Sequence, residues 1–315
     1  MAARTAHAEQ LGAGTAAQLS ARPAFSTNFG GYPMKWMSFE ARGRASYGIV
    51  DGDGVYDVGA RLASRFPDLK ALIAAGALQE GGDPAGGDER LAFADIRFLP
   101  VIPNPGKIMC VGHNYESHRQ ETGRDKTERP SIFTRFADSQ TGHRAPIVLP
   151  TVSTMLDFEG ELAVVIGRGG REIREEDALS HIAGYACYDD ASVRDWQWHT
   201  RQFTPGKNFP QTGGFGPWLV TADEIADPSA LSVTTRVNGE VVQSQPTADM
   251  IFSIPAIIAY VSAFTPLSPG DVIVTGTPGG VGAKRQPPRW LAAGDVVEVD
   301  IPGVGLLVNH VQAEA

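Results

Sequence analysis

Three short stretches of the chain hold the side chains that could do chemistry together. Asp157, Glu159 and Glu161 alternate at the entrance to Leu162-Ala163-Val164-Val165-Ile166, an apolar run of strand length closed by Gly167. Such a run reads as a buried strand. Side chains two apart on a strand leave the same face, so the three acids would project together. Carboxylates entering a buried strand repel one another and resist desolvation. A hard divalent cation with oxygen ligands would compensate. Acids standing in water on an edge strand are the alternative that this stretch leaves open.

The second stretch carries His118 and Glu121, three residues apart between Asn114 and Gly123, which can cap and end a short helix. At that spacing the two side chains meet, and a carboxylate beside an imidazole orients it and raises its basicity. An ordinary surface His–Glu pair is the competing reading. In the third stretch Asp190 ends an apolar segment. Arg194 and Gln197 follow four and seven residues on, along one face of a helical turn. For Arg194 a plain salt bridge to Asp190 competes with a role at a site. Lys207 is presented by a loop at 203–209, and Arg135 lies in a strand-like run at 130–136.

The elements that must position these groups are mostly strands. The 36 glycines and 22 prolines favour many turns and a β-rich structure. Residues 1–33 lack periodicity and read as a disordered extension; an organelle-targeting leader is the weaker alternative. A small N-terminal β-rich domain spans 34–100, with strands, an Asp51-Gly52-Asp53-Gly54 turn, and a helix over 68–75 stopped by Gly76. A proline-containing linker opens the larger domain, 101–315. There, short strands flank the chemical residues, a mixed-charge helix follows at 173–183, and Asn238-Gly239 turns a hairpin. An apolar helix covers 254–264. A glycine-rich loop at 275–282 lacks the spacing of a phosphate loop and reads as a pocket wall whose backbone N–H groups approach a small ligand. A formal charge of −9 argues against nucleic acid as a partner. No apolar run reaches a membrane-spanning length. Cys110 and Cys187 sit in apolar segments, which indicates free thiols and a cytoplasmic setting.

Read together, Val111-Gly112-x-Asn114-Tyr115-x-x-His118-x-x-Glu121, Asp157-Phe158-Glu159-x-Glu161-Leu162, Asp190-x-Ser192-x-Arg194-Asp195-x-Gln197, Gly206-Lys207-x-Phe209, Gly216-Pro217-Trp218 and Thr275-Gly276-Thr277-Pro278-x-Gly280-Val281-Gly282 resemble the fumarylacetoacetate hydrolase family in order and spacing. The resemblance covers about residues 34–311. It implies a mixed α/β, β-rich fold, with rolled mixed β-sheets in the C-terminal domain. It implies Mg²⁺, with Mn²⁺ or Ca²⁺ as substitutes, on Glu159, Glu161 and Asp190, which suits an all-oxygen donor set. Asp157 would stand behind these ligands. It also implies a His118–Glu121 dyad on a closing lid, Lys207 as a further catalytic group, and substrate contacts from Arg135, Arg194, Gln197 and Thr277. A homodimer is implied, and the apolar segment 185–188 would fit its interface. Asp189 and His113 depart from what relatives often carry at those positions.

The chemistry this implies is hydrolysis of a carbon–carbon bond in a β-diketo acid of the acylpyruvate type. His118 would deprotonate water, the hydroxide would attack the distal carbonyl, and a pyruvate enolate would leave, its charge met by the cation. Lys207 and Gln197 would hold the tetrahedral oxyanion. The rival inside the fold is decarboxylation, isomerisation or hydration of a related 2-oxo acid such as oxaloacetate. A rival from another class is a non-catalytic binding protein on the same scaffold. The joint retention of three acids, the dyad and Lys207 argues against it.

Overall fold

In the computed structural model, residues 34–82 and 87–315 are described; the extension at 1–33 lies outside them. Twelve strands form one sheet. Its path runs from Arg90–Ala92 through Gly54–Tyr56, Arg44–Asp51 and Lys35–Ala41 to Gly213–Thr221. It continues through Ile182–Asp190, Gly160–Ile166, Val272–Val274, Ile108–Gly112 and Ser131–Arg135. The N-terminal strands therefore extend the sheet that carries the chemical residues. They join it by the antiparallel pairing of Trp36 with Leu219. A shared apolar cluster reinforces that junction, from Trp36, Tyr47 and Leu72 to Ala163, Ala186, Phe215 and Val274. Each such large aliphatic or aromatic side chain contributes about 1.5–3 kcal/mol on burial.

A five-stranded sheet, Glu240–Pro246, Ser232–Val237, Val296–Ile301, Gly305–Ala313 and Ile147–Leu149, packs on the other face. Val233, Val299 and Leu307 meet Leu162, Val164 and Cys187 there. Ser232–Val237 and Val296–Ile301 alternate buried and half-buried residues, as strands with one covered face do. The hairpin at Asn238-Gly239 has φ of 53° and 80°, the left-handed pair a two-residue turn of this type requires. Asp68 caps the Leu69–Ala74 helix and Ser253 caps the Ile254–Phe264 helix, both at the places read from sequence. Residues Glu175–His181 coil more tightly, as a 3₁₀ helix. Among the described residues no helix is long and apolar enough to cross a membrane.

Candidate active site

Gly160–Ile166 is buried along its whole length because strands flank it on both sides. Its register against Ile182–Asp190 pairs Gly160 with Asp189 and Glu161 with Tyr188. That register brings the end of one strand, Asp190, beside the start of the other. One oxygen each from Glu159, Glu161 and Asp190 lies within 4.8 Å of the others, and all three residues are buried.

The expected projection of three acids from one strand face needs correction. The strand breaks after Asp157, and pairing resumes at Gly160. Asp157 turns away and is consumed by the protein. Its Oδ1 accepts from the N–H of Phe158 (2.9 Å) and Gly282 (2.8 Å), and its Oδ2 accepts from Ala283 N–H (3.0 Å) and Arg194 Nε (2.8 Å). Its place is behind the cluster. The competing reading of Arg194, a salt bridge to Asp190, does not form: Arg194 pairs with Asp157 and with Glu159 Oε1 (2.6 Å), while Asp190 takes Arg135 Nη1 (2.6 Å).

Charge within this floor is unevenly covered. Lys207 Nζ donates to Glu159 Oε2 (2.7 Å), Asp190 Oδ2 (2.6 Å) and the Asp190 carbonyl (3.0 Å). Desolvation works against the Glu159 carboxylate, yet Lys207 and Arg194 outweigh it and hold the group below the usual carboxylate range. Lys207 is likewise desolvated, and Asp190 and Glu159 hold its ammonium above the usual lysine range. Among the described residues Glu161 has no ion-pair partner; its Oε2 accepts from the N–H of Gly276. Burial, then Asp190 and Glu159, push its carboxyl far up. Among the described residues the ion pairs of Asp157, Glu159 and Asp190 are made by Arg135, Arg194 and Lys207, and Glu161 has none. The converging carboxylate oxygens and the uncompensated Glu161 fit a hard divalent cation. Burial also pushes Asp189 up to about 7.

Above this floor stands the Glu116–Glu121 helix. His118 Nδ1 lies 2.7 Å from Glu121 Oε1. A carboxylate can only accept, so Nδ1 carries the proton, and Nε2 has no hydrogen-bond partner among the described residues. The helix starts at Tyr115 with no side-chain cap. Asn114 is spent elsewhere, with Nδ2 donating to the carbonyls of Thr275 (2.7 Å) and Phe252 (3.0 Å) and Oδ1 accepting from Phe252 N–H (2.8 Å). Gly123, at φ 66°, does end the helix.

The glycine-rich loop does wall the cavity, through Thr277 and Val281, but its N–H groups are not left for a ligand. Its N–H groups point at protein side chains. Gly276 donates to Glu161, Gly279 to Ser117 Oγ, Gly280 to Glu121 Oε2 (2.9 Å) and Gly282 to Asp157. It orients the acids and ties down the lid helix. Only glycine suits Gly280, where φ is 106° and an added Cβ would lie 2.2 Å from the Val242 carbonyl.

A single cavity is lined by His118, Glu159, Glu161, Arg194, Gln197, Lys207 and Thr277, so most of the residues singled out by spacing share one space. Gln197 Oε1 accepts from Arg194 Nη1 (2.9 Å). Thr277 Oγ1 donates to the Gly160 carbonyl (3.0 Å). Arg135 sits behind Asp190, bonded also to Thr212 Oγ1 and the Ala191 carbonyl, and does not line the cavity. Gln243 escaped sequence reasoning. Its Oε1 accepts from Gly160 N–H (3.0 Å), and its Nε2 donates to Thr277 Oγ1 and the Pro278 carbonyl (both 2.8 Å), so it clamps the floor to the glycine-rich loop. A glutamine in an ordinary hairpin strand carries no local signal of that role. Tyr185 and Tyr188 are buried within the chain itself and cannot form the dimer face their apolar neighbourhood suggested.

With this geometry in place, comparison with known proteins is informative. The family described as "Fumarylacetoacetate (FAA) hydrolase C-terminal" matches residues 107–312. A mitochondrial oxaloacetate tautomerase, fahd2, from Xenopus laevis is 41% identical over 84% of this chain and 84% of its own length. The oxaloacetate tautomerase YisK from Bacillus subtilis is 43% identical over 70% of this chain and 74% of its own. Among solved structures, maleylpyruvate hydrolase from Sphingobium, in complex with manganese(II) and pyruvate, superposes with a TM-score of 0.75. It shows 30% identity over 90% of this chain and 100% of that one.

Proposed function

The chain belongs to the fumarylacetoacetate hydrolase family, and from that premise we propose that it is a divalent-cation-dependent tautomerase interconverting the keto and enol forms of oxaloacetate. The observation that carries this reading is one cavity in which the free Nε2-bearing ring of His118 faces an acid cluster with an uncompensated carboxylate. The curated relatives named above, both oxaloacetate tautomerases, support it over carbon–carbon hydrolysis. The likeness to a maleylpyruvate hydrolase keeps acylpyruvate hydrolysis as the second reading.

Glu159, Glu161 and Asp190 would hold Mg²⁺, with Mn²⁺ or Ca²⁺ as substitutes. A cation held there would supply Lewis-acid stabilisation of negative charge at the 2-oxo end of the substrate. The rest falls to the chain. In the enol direction His118 Nε2 takes a proton from C3 of the keto form and the 2-oxygen of the resulting enolate takes one from water; in the keto direction that oxygen loses its proton to water and His118 returns one to C3, while Glu121 keeps Nδ1 protonated. Lys207, Gln197 and Thr277 face the oxygen where charge collects, and Arg194 fixes Gln197. Arg135 acts through Asp190, as an anchor for that acid.

Residues 101–315 would then form the catalytic domain, since every group named lies in it, with 34–100 as a buttress at the sheet edge. A homodimer belongs to the same proposal, with an interface elsewhere than 185–188. The buried free thiols of Cys110 and Cys187 suit the cytoplasm. The relative fahd2 is named as mitochondrial, and a mitochondrial matrix would suit them as well.

The test follows enol loss and pyruvate release together, with oxaloacetate and Mg²⁺ or Mn²⁺. Metal-dependent enol loss without matching pyruvate is expected. Stoichiometric pyruvate would favour decarboxylation, and cleavage of an acylpyruvate would restore hydrolysis.

A further inference from the structure

The residue just before the lid helix has no task in the chemistry above, yet it is built at some cost. His113 lines the cavity. Its backbone φ is 55°, a left-handed conformation unusual for a non-glycine residue. Such positions concentrate at functional sites because the surroundings must enforce them. Its ring stacks on His118, with centroids 5.2 Å apart and planes 22° from parallel, and Phe203 meets it edge-on at 6.0 Å. Both ring nitrogens are buried and neither has a hydrogen-bond partner among the described residues. A neutral imidazole always offers one donor and one acceptor, and leaving either unmet costs about 1–3 kcal/mol. Packing alone would be served as well by phenylalanine. The polar atoms point to a ligand.

The charge at the rim says what kind. Arg124, just beyond the lid hinge at Gly123, and Lys284, at the end of the glycine-rich loop, both line the cavity and are exposed. Neither side chain has a hydrogen-bond or ion-pair partner among the described residues, and the acids lining this cavity, Glu159 and Glu161, lie at its floor. A small ligand held at the floor by its 2-oxo end would therefore extend toward unpaired positive charge and one buried N–H.

We infer that His113, flanked by Arg124 and Lys284, is the subsite for the second carboxylate of a dianionic 2-oxo acid. The inference rests on the proposed function for placing the 2-oxo end at the acid floor. His113 serves as a neutral hydrogen-bond donor, because burial and then the neighbouring His118 push its imidazole down to about 4. The charge comes from the two rim cations. A hydrogen bond to a charged group contributes about 1.5–3 kcal/mol, or roughly 10–100-fold in affinity.

Calorimetric binding to the full chain in Mg²⁺ tests this with two unreactive ligands of matched reach. One is 2-hydroxysuccinate, a dianion, and the other 2-hydroxybutanoate, a monoanion lacking the distal carboxylate. The wild type is expected to prefer the dianion by at least ~10-fold. His113→Phe, which keeps the stack on His118, should lower that ratio toward one while the monoanion's affinity stays the same. The double variant Arg124→Ala/Lys284→Ala should lower it as well, and decides the matter if His113→Phe fails to fold. An absent preference in the wild type, or a preference that survives in His113→Phe or, if that protein is unfolded, in the double variant, overturns the subsite. If the preference follows His113 but the wild type does not tautomerise oxaloacetate, the proposed function fails and the subsite stands.

Discussion

The acid floor and the lid helix stand on opposite sides of the cavity and are held by different physics. Glu159, Glu161 and Asp190 sit at the ends of strands locked by paired registers and buried on both faces. His118 rides a helix of six residues with no side-chain cap, followed by an exposed stretch at 123–129. It is held by a few polar contacts, among them Ser117 Oγ to Gln245 Oε1 (2.6 Å) and Gly280 N–H to Glu121. An isolated helix of that length is far too short to be stable alone. Under the proposed function the difference has a reason: a cation site would need positions that do not yield, whereas a proton carrier would tolerate a less firmly held segment.

Removing a floor ligand should have the largest effect. Glu161→Gln is expected to lower metal-dependent tautomerisation by roughly 10³-fold, about the scale of losing a principal electrostatic element. Mn²⁺ titration should show the weakened site directly. The variant should fold at least as well as the wild type, because an uncompensated buried carboxylate is gone. A variant that binds Mn²⁺ as well as the wild type would remove Glu161 from the floor.

The sheet side also predicts a pH limit independent of the chemistry. His143 is packed edge-on against Phe98, centroids 4.7 Å apart, and its Nδ1 accepts from Val308 N–H. Burial, then Arg144, lowers its imidazole to about 4 from the ordinary 6.5. The unfolded chain therefore takes up a proton before the folded one does. The contribution of His143 to stability should be flat above the ordinary value, fall as pH drops from 6.5 toward 4, and level off below, by up to about 3 kcal/mol in total, so it is read as the difference between the wild type and a His143 variant. Urea unfolding across this range checks it, and a folded His143→Asn variant should lose that part of the slope.

On the lid, His118→Ala should cost roughly 10²-fold or more in turnover, the usual contribution of a positioned acid–base group. Mn²⁺ affinity should stay within a few-fold, which sets this variant apart from Glu161→Gln. A smaller effect is expected from Ser117→Ala, which deletes the contacts to Gln245 and Gly279 N–H. Hydrogen exchange over 116–129 should quicken while 160–166 stays protected, and turnover should fall only a few-fold, for roughly 1 kcal/mol of lost anchoring. Equal quickening in both segments would erase the distinction between floor and lid.

The same contrast governs what could be read from the sequence. The contact within the His118–Glu121 pair was legible from i,i+3 spacing, whereas the acids could be singled out by type but grouped with Asp190 only through the family resemblance. The Asn-Gly hairpin and the capped helices were legible because their signals are local. The partners were not. Nothing in the spacing of Asp157, Glu159 and Glu161 shows that the strand breaks between the first and second. Which arginine meets which acid depends on register across the sheet. Gln243 and the glycine-rich N–H groups act across separations of up to 162 residues, as Gly279 does on Ser117. Tertiary placement alone creates those contacts.

The central claim is that His118 moves the proton at C3 while the acid floor holds the 2-oxo end. Ketonisation of enol oxaloacetate in D₂O with saturating Mg²⁺ tests it most directly, the keto product being trapped before it exchanges by stereospecific reduction to 2-hydroxysuccinate, whose C3 deuterium is then placed by NMR. A base fixed on one side of the substrate must deliver deuterium to one face of C3. The account predicts a single stereochemical outcome in the wild type and loss of both rate and stereoselectivity in His118→Ala. Stereoselective deuteration that persists at the wild-type rate in His118→Ala would contradict it.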